Sequence, residues 1–324
     1  MKLIKLTIYL LVFVSCSGTL KKKKEPAVQE ISTANKNETS LVILGTVQDA
    51  GSPHIACKKE CCNTLFLNPD TNRKVVSLGL IDAENEKTYL FEATPDISEQ
   101  LKNLKRKAPF NANEIPNGIF ITHAHIGHYT GLMYLGKEAT NAKNAVVYAM
   151  PKLKTFLETN GPWGQLVSNK NIALEEIHNN EEISLSPNLK VIPIRVPHRD
   201  EYSETVGFRI IGPNKSVLFI PDIDKWDKWE TSIVEAVANV DYALIDATFY
   251  DGVEISNRDI SEIPHPFVIE TMALFKNQSK AIRNKIHFIH LNHTNPLMNP
   301  ASEQSKDVVA KGFHIARIND IIAL

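Results

Sequence analysis

The sequence predicts a layered α/β fold that occupies residues 41–324 as a single domain. From Leu41 onward, short runs rich in β-forming residues alternate with segments of helical period. Hydrophobic residues make up 43% of the 324 residues and charged residues 23%, which is enough apolar material for a substantial core. We find no linker that divides this part of the chain. The bulk of the chain is therefore expected to fold as one unit.

The alternation predicts the elements in chain order. Strands are predicted at residues 41–46, 76–82, 88–93, 118–122, 145–149, 189–196, 205–211, 216–221, 242–246 and 285–291. Helices are predicted at residues 96–105, 129–134, 151–159, 228–238, 266–275 and 301–311. Several of these helices begin at Pro, Asp or Ser, which are residues that suit the first turn of a helix.

The start of the chain, residues 1–15, is typical of a secretory signal peptide. Lys2 and Lys5 give a basic start, an apolar run covers residues 6–14, and small residues surround Cys16. The apolar run is about half of the ~20 residues that a bilayer-spanning helix needs, so a permanent transmembrane segment is the weaker interpretation. We therefore expect export from the cytoplasm.

Residues 13–16, Phe-Val-Ser-Cys, resemble a bacterial lipobox in which phenylalanine replaces the usual leucine. The resemblance implies cleavage before Cys16 and lipidation of its thiol, which would anchor the protein to a membrane of the cell envelope, periplasmic or outer. The alternative is a plain signal peptide with an incidental Cys16. Residues 16–40 are polar, charged and poor in apolar residues, as expected of a flexible tether.

Histidine is the most informative residue type in the composition. The net charge of -1 gives no electrostatic reason to expect a nucleic-acid partner. Several of the 11 histidines, by contrast, lie in short clusters near aspartate and cysteine, where metal ligands are expected.

A histidine cluster directly follows the predicted strand at residues 118–122. Alternate residues of an extended chain project to the same side, so His123 and His125 can bind one ion. His128 lies where a helix is predicted to begin and can turn a third imidazole toward a neighbouring position. Unrelated surface histidines are the alternative, but three of them within six residues after a strand favour a metal site.

The cluster resembles the His-x-His-x-Asp-His motif of the metallo-β-lactamase superfamily. The resemblance implies a four-layered αβ/βα sandwich with a dinuclear metal site at the edge of its sheets. This sequence departs from the motif at one position, because Gly127 stands where the motif has aspartate.

The superfamily pattern also requires a further histidine, a bridging aspartate and a last histidine, each at the end of a strand. His198, Asp222 and His290 occupy these places in the right order. Singly they could be a loop residue, a helix cap and a core histidine. Together they imply one ion bound by His123, His125, His198 and Asp222, and a second bound by His128, His290 and the shared Asp222.

Gly127 removes a carboxylate from the second ligand set. Loss of an anionic ligand weakens the attraction for a second divalent cation. The sequence therefore predicts either a mononuclear site or the recruitment of water or another side chain, with Asp200 and Asp224 as unranked candidates.

Three cysteines, Cys57, Cys61 and Cys62, form a second cluster. Tightly spaced thiols favour a structural zinc, and we expect His293 as the fourth ligand. The alternative is a disulfide between two of the cysteines with the third free. Cys61 and Cys62 are poor partners for each other, because a disulfide between adjacent residues strains the backbone.

Three stretches narrow the resemblance to a subgroup. Gly-Thr-x-Gln-Asp-x-Gly-x-Pro at residues 45–53, the cysteine cluster, and His-Leu-Asn-His-Thr-Asn-Pro at residues 290–296 resemble the pyrroloquinoline quinone biosynthesis protein B group. They also resemble the cyclic phosphodiesterase of phosphonate degradation, in which three cysteines and a histidine hold a structural zinc. The likeness extends over nearly all of residues 41–324.

The expected function is hydrolysis of a phosphodiester or related ester, a small-molecule substrate. A divalent metal, zinc with manganese or iron as alternatives, would activate water, and Asp222 would bridge or orient the resulting hydroxide. His265 resembles the histidine that protonates a leaving oxygen in the phosphodiesterase branch. A plain loop histidine between Pro264 and Pro266 is the alternative.

Two further functions compete with hydrolysis. Resemblance to protein B implies an iron-dependent oxygenase that acts on a tyrosine-bearing peptide or a quinone precursor. A non-catalytic surface lipoprotein that uses the scaffold for binding is the third hypothesis.

Overall fold

The computed structural model describes residues 38–199, 201–255 and 263–324. The predicted signal peptide at residues 1–15, Cys16 and all but the end of the predicted tether lie outside the described residues, as does Asp200. Thr39 and Ser40 are already buried, so the folded part begins slightly before the predicted boundary at residue 41. Among the helices in the described ranges, none has both the length and the apolar character needed to cross a bilayer.

The strands form two seven-stranded sheets. The first sheet has the order β14-β1-β2-β3-β4-β5-β6, with antiparallel pairing from β14 to β3 and parallel pairing from β3 to β6. Its strands are β1 (Ser40–Gly45), β2 (Ser77–Asp82), β3 (Lys87–Phe91), β4 (Gly118–Phe120), β5 (Ala145–Ala149), β6 (Ile172–Glu176) and β14 (Ile321–Ala323).

The second sheet has the order β13-β12-β11-β10-β9-β8-β7. Pairing is antiparallel from β7 to β10 and parallel from β10 to β13. Its strands are β7 (Ile183–Ser186), β8 (Leu189–Arg195), β9 (Val206–Ile211), β10 (Ser216–Ile220), β11 (Tyr242–Asp246), β12 (Ile286–Ile289) and β13 (His314–Ile315).

The α-helices lie between these strands along the chain. They are α1 (Glu60–Asn63), α2 (Ile97–Lys107), α3 (Ile126–Tyr129), α4 (Pro151–Thr159), α5 (Trp163–Ser168), α6 (Ile233–Ala238), α7 (Val268–Leu274), α8 (Lys280–Arg283) and α9 (Glu303–Ala310). The helix predicted at residues 228–238 begins only at Ile233, after a short 3-10 turn at Trp226–Lys228. The helix predicted at residues 129–134 is α3 followed by a 3-10 segment, Thr130–Leu135.

Three apolar layers hold the molecule together. The middle layer lies between the two sheets and contains stacked and edge-on aromatic rings, among them Phe91, Phe120 and Phe208. The outer face of the first sheet packs against α2, α4 and α5, and the outer face of the second sheet packs against α6, α7 and α9. The order helix, sheet, sheet, helix is the predicted four-layered αβ/βα sandwich, which is thereby confirmed.

The strands of this sandwich are buried on both faces. In β1, Leu41 and Ile43 face the middle layer, whereas Val42 and Leu44 face the helices. Strands that are covered on both sides have nearly continuous apolar sequences. This explains why the central strands were predicted with ends that differ by only one or two residues from those observed.

The histidines and the aspartate predicted to bind metal follow the carboxyl ends of several strands. Parallel strands point in one direction, so their carboxyl ends meet at one edge of a sheet. An extra connection joins the two sheets at that edge: Val47, just beyond β1, forms isolated bridges to Val75 before β2 and to Leu291 after β12. Side chains from both sheets are thereby brought to one place.

The middle layer gives the first testable prediction. Phe208 is fully buried, and its ring lies 5.4 Å from that of Phe91 and 5.6 Å from that of Phe120. We expect Phe208→Ala to lower the free energy of unfolding by about 3–5 kcal/mol, because a large cavity is left between the sheets. Phe66→Ala is the matched control, since Phe66 is 55% exposed and should change stability by less than about 0.5 kcal/mol. Equal denaturation midpoints for the two variants would contradict this account of the core.

Candidate metal centre

The first ligand group contains His123, His125, His198 and Asp222. One ligand atom from each lies within 4.8 Å of all the others. His123 Nε2 is 2.8 Å from His125 Nδ1 and 3.4 Å from Asp222 Oδ2, and His198 Nε2 is 3.2 Å from Asp222 Oδ1. The structure therefore brings together the four residues that the sequence assigned to one ion.

The backbone after β4 explains how the cluster forms. The chain stays extended through His125, whose φ and ψ are −93° and 150°, and then enters the short helix α3. The carbonyl of His125 accepts from the N–H of His128 at 2.9 Å, and the ring of His128 lies 4.3 Å from that of His123 and within reach of the second group. His123 and His128 are completely buried.

The second ligand group contains His128, His290, Asp222 and, unexpectedly, Asp49. Asp49 Oδ1 lies 2.8 Å from His128 Nε2 and 3.1 Å from His290 Nε2. Asp222 Oδ2 lies 3.8 Å and 3.9 Å from the same two nitrogens. Asp222 is thus common to both groups, as predicted.

Asp224 does not belong to the second group, contrary to one of the two candidates that the sequence suggested. Its Oδ1 lies 3.1 Å from His198 Nδ1, on the far side of that ring from Asp222. The reason is that Asp224 follows Asp222 on the same loop and can reach only the back of His198. The other candidate, Asp200, is outside the described residues.

An oxygen lies behind three of the imidazoles, and two of these oxygens are within hydrogen-bond distance of the ring. Thr122 Oγ1 lies 2.8 Å from His123 Nδ1, and Thr248 Oγ1 lies 2.8 Å from His290 Nδ1. Glu92 Oε1, which is fully buried, lies 3.6 Å from His128 Nδ1. Partners of this kind set the tautomer and leave the opposite ring nitrogen free to bind a metal.

Two residues around the second group have strained backbones. His290 has φ of +65° and Glu92 has φ of +71°, values that non-glycine residues rarely adopt. Each such conformation costs on the order of 1–3 kcal/mol and persists where the surroundings enforce it, commonly at functional sites. Glu92 directly follows β3, and His290 directly follows β12.

The charge states of His123 and Asp222 fit a divalent cation, whereas at His128 and His198 burial is outweighed by nearby carboxylates, which raise the pKa of both rings. Burial lowers the pKa of His123 well below its usual value, and His128 adds to the effect, so the ring of His123 is neutral. Burial alone would raise the pKa of Asp222, but His198, His265 and His290 outweigh it and hold that pKa well below its usual range. Ionised carboxylate and neutral imidazole are the forms that bind metals.

Unsatisfied polar atoms point to the same conclusion. Both ring nitrogens of His128 and Oδ1 of Asp222 are buried without a hydrogen bond. Buried polar atoms are almost always satisfied, so orphaned atoms in one place indicate a missing partner such as an ion. The residues present therefore fit a metal, and their nitrogen and oxygen donors suit zinc, iron or manganese.

His265 adjoins both groups. Its Nδ1 lies 2.9 Å from Asp246 Oδ2 and 3.1 Å from Asp222 Oδ1, and its side chain is 14% exposed. Burial opposes protonation of this ring, but the carboxylates of Asp246 and Asp222 outweigh it and raise the pKa of His265 well above its usual value. The predicted catalytic histidine is thus at the site and has a buried carboxylate beside it.

The cysteine cluster forms a separate group with His293. One ligand atom from each of Cys57, Cys61, Cys62 and His293 lies within 4.8 Å of the others. His293 Nδ1 is 3.3 Å from Cys62 Sγ and 3.5 Å from Cys61 Sγ, and the three cysteines form no disulfide. The geometry is that of a three-cysteine, one-histidine set, as predicted.

The electrostatics of this cluster also favour a cation. Burial raises the pKa of Cys61 to about 12, and the neighbouring thiol of Cys62 adds to the effect. Burial lowers the pKa of His293 to about 4, so its ring is neutral. Thiols crowded together ionise readily only when a positive ion offsets their mutual repulsion, which is the role of a structural zinc.

Several residues of the centre were not predicted from the sequence: Asp49, Glu92, Asp246 and Thr248. Glu92 and Asp246 fall at the ends of predicted strands, which is the same signal that identified Asp222. Asp49 lies in the stretch at residues 45–53, where it contributed only to the subgroup resemblance.

A family model described as the beta-lactamase superfamily domain matches residues 87–290. This range contains all the histidines of both ligand groups and Asp222, but neither Asp49 nor the cysteines. Curated relatives include coenzyme PQQ synthesis protein B from Methylorubrum populi, 23% identical over 299 residues with 85% of this chain and 97% of the relative covered. The protein of the same name from Pseudomonas entomophila is 24% identical over 309 residues, with the same coverage.

Two solved structures share the fold. Zn(2+)-bound PqqB from Methylobacterium extorquens has a TM-score of 0.69 and 21% identity, covering 88% of this chain and 100% of its own. A diphosphatase from the PhnP family has a TM-score of 0.60 and 20% identity, covering 89% of this chain and 97% of its own. The resemblance predicted from the histidine and cysteine motifs is thereby confirmed. Because the family match extends over more than half of the chain, this protein belongs to the beta-lactamase superfamily.

Proposed function

We propose that this protein is a metal-dependent hydrolase and that its substrate is a phosphodiester or a related anionic ester. The observation that carries the proposal is that ligand atoms from two sets of histidines, the set His123, His125 and His198 and the pair His128 and His290, converge on the shared carboxylate of Asp222. When bound by these residues, a divalent metal supplies hydroxide from water at neutral pH and acts as a Lewis acid toward an ester oxygen.

Zinc is the metal that we propose for both the centre and the cysteine cluster. Imidazole and carboxylate ligands suit zinc, and they also suit manganese and iron at the centre, whereas thiolates at the cluster select zinc more strongly. A relative of known structure is zinc-bound, which supports the same choice.

The substrate would approach from the side of His125 and His265. These two side chains are each 14% exposed, whereas those of His123, His128, His198 and His290 are at most 1% exposed. The guanidinium Nη2 of Arg199 lies 3.2 Å from His125 Nε2, so a positive charge stands at this opening. Glu201 lies 3.7 Å from the same guanidinium and offsets part of that charge. The N–H groups of Arg199 can nevertheless donate to the oxygens of an anionic ester at this opening.

His265 is the residue that we propose for protonation of the leaving oxygen. Its Nδ1 is held by the fully buried carboxylate of Asp246, which itself accepts from Thr248 Oγ1 at 2.7 Å and from the N–H of Ile223 at 3.1 Å. A proton on Nδ1 is therefore retained by Asp246, and Nε2 is the atom from which a proton can be donated. An alkoxide leaves slowly without such a donor. The diphosphatase relative supports phosphorus chemistry of this kind.

The curated relatives named coenzyme PQQ synthesis protein B support a second candidate, an iron-dependent oxygenase. This candidate requires iron, colour and consumption of oxygen, whereas hydrolysis requires none of the three. Oxygen uptake by the iron-loaded protein, with no turnover of any ester by the zinc-loaded protein, would favour it over the hydrolase.

Metal content tests the centre. We expect a His123→Ala, His125→Ala double variant to carry about one metal ion less per chain than the wild type, because two of four ligands of the first group are lost. The matched control is a His287→Ala, His314→Ala double variant. The rings of these two histidines are stacked 4.7 Å apart and belong to neither ligand group, so the metal content should be unchanged. Elemental analysis measures the metal content of both variants, and equal content in all three proteins would refute the assignment.

Cys61→Ser should lose the ion of the cysteine cluster and retain those of the centre.

Dependence on the leaving group tests His265. We expect His265→Ala to slow hydrolysis of an alkyl phosphodiester by roughly 100-fold or more, since a poor leaving group needs the proton. Hydrolysis of a p-nitrophenyl phosphodiester should slow much less, because nitrophenolate leaves without protonation. His178→Ala is the control, as His178 is exposed and pairs only with Glu176. An equal loss on both substrates would assign His265 a role other than that of a proton donor.

Membrane attachment is a further proposal that rests on the sequence alone. We propose that the protein is exported and anchored through a lipid on Cys16, with residues 16–40 as the tether. Cys16→Ser should shift the protein from the membrane pellet to the soluble fraction and abolish incorporation of labelled palmitate. Unchanged fractionation of this variant would indicate that Cys16 is not the anchor.

A further inference from the structure

We propose that Asp49 supplies the carboxylate that the second ligand group lacks at position 127, so that the centre binds two divalent cations rather than one. The proposal rests on the metal centre described above and concerns the capacity of that centre. Of the two expectations drawn from Gly127, a mononuclear site and the recruitment of water or another side chain, it favours the recruitment of a side chain.

The carboxylate of Asp49 lies against both imidazoles of the second ligand group. Its Oδ1 lies 2.8 Å from His128 Nε2 and 3.1 Å from His290 Nε2. His290 Nε2 is within hydrogen-bond distance of this oxygen, whereas His128 Nε2 is buried without a hydrogen bond despite the shorter distance. Ligands of one ion aim at the ion and not at each other, which accounts for a close approach without hydrogen-bond geometry.

Gly127 is the necessary counterpart of Asp49. A Cβ atom at position 127 would lie 2.4 Å from Asp49 Cα and 2.8 Å from its Cβ and Cγ. The closest of these atoms is backbone, so rotation of the Asp49 side chain cannot relieve the overlap. A side chain at 127 and the observed position of Asp49 exclude one another. The departure from the superfamily motif therefore makes room for a carboxylate that comes from a different loop.

The backbone holds Asp49 in place independently of any ion. The N–H of Leu291 donates to Thr46 O at 2.8 Å, and the N–H of Gln48 donates to Leu291 O at 3.0 Å. Asp49 is thus one residue away from a hydrogen-bonded pairing with the segment that begins at His290. This pairing fixes the distance between the carboxylate of Asp49 and the ring of His290.

Charge balance explains why the second group needs Asp49. His128 and His290 are neutral donors when they bind a metal, and Asp222 is shared with the first group. Without Asp49, the only carboxylate in the second group would be that of Asp222, whose negative charge is shared with the first cation. With Asp49, this group contains the two imidazoles and two carboxylates that suit zinc, manganese or iron.

Manganese binding to the Asp49→Asn variant tests the proposal. The active centre is stripped with a chelator and reloaded with Mn²⁺, which the thiolates of the cysteine cluster do not favour. We expect wild type to bind a second Mn²⁺ and to give the exchange-coupled paramagnetic resonance spectrum of two neighbouring ions. Asp49→Asn should bind the second ion at least about 100-fold more weakly, since even partners behind a ligand contribute 10–100-fold. Its spectrum should be that of an isolated ion.

Asp70→Asn is the matched control for charge. Asp70 lies in the segment between the cysteine cluster and β2, is exposed, and pairs only with Arg73 and the N–H of Asn72. This control should bind manganese like wild type. Retention of zinc by the cysteine cluster shows that each variant is folded. Undiminished affinity and a coupled spectrum in Asp49→Asn would overturn the proposal.

Gly127→Ala tests the steric half of the argument without a change of charge. The added methyl group should displace the Asp49 loop and also weaken the second ion. Gly161→Ala is its control, because no atom lies within 4 Å of the added Cβ there. An exchange-coupled manganese spectrum in Gly127→Ala like that of wild type would contradict the steric argument. These readouts do not depend on turnover, so a loss of coupling in Asp49→Asn without ester hydrolysis in wild type would refute the proposed function and leave this inference intact.

Discussion

The buried carboxylate of Asp222 is the constraint on which the rest of the centre depends. It is 2% exposed, and a lone charge at that depth would cost several kcal/mol. Six imidazoles lie within 4 Å of its two oxygens, including that of His265, and they stabilise its charge. Because these rings come from β4, β8 and β12 and from the loop before α7, both sheets must be fully formed before Asp222 is stabilised. The sandwich and the centre are therefore one cooperative structure.

Much of this arrangement could be predicted from local sequence. Strands buried on both faces produce continuous apolar runs, so β1, β3, β10 and β11 were recognised, and a histidine or aspartate directly after such a run is a strong indication of a site. His123, His198, Asp222 and His290 all satisfy that rule. The cysteines were recognisable because their spacing alone suggests a metal, and the structure places His293 beside them.

The features that escaped prediction depend on contacts between distant residues. Asp49 and His290 are separated by 241 positions, and no local pattern marks a carboxylate that replaces one missing at position 127. Strands β6 and β14 lie at the edges of the first sheet, where only one neighbour is available and polar residues such as Glu175 and Glu176 are tolerated. The helix predicted at residues 228–238 is shorter than its sequence period suggested, because Trp226 and Trp229 are used for tertiary packing instead.

The two ligand clusters are built on the same pair of chain segments. Residues 46–62 contribute Asp49 and then the three cysteines, and residues 290–293 contribute His290 and then His293. Hydrogen bonds between Thr46, Gln48 and Leu291 join the segments between the clusters. A cation bound by the cysteines and His293 would therefore clamp the outer ends of segments whose inner ends carry Asp49 and His290. Ordering a loop costs about 1–2 kcal/mol of conformational entropy per residue. A cation bound at the cysteine cluster would already have ordered these segments when an ion binds to the second ligand group. The cysteine cluster and the centre are therefore connected through the same two segments, although none of the cluster's atoms belongs to either ligand group of the centre.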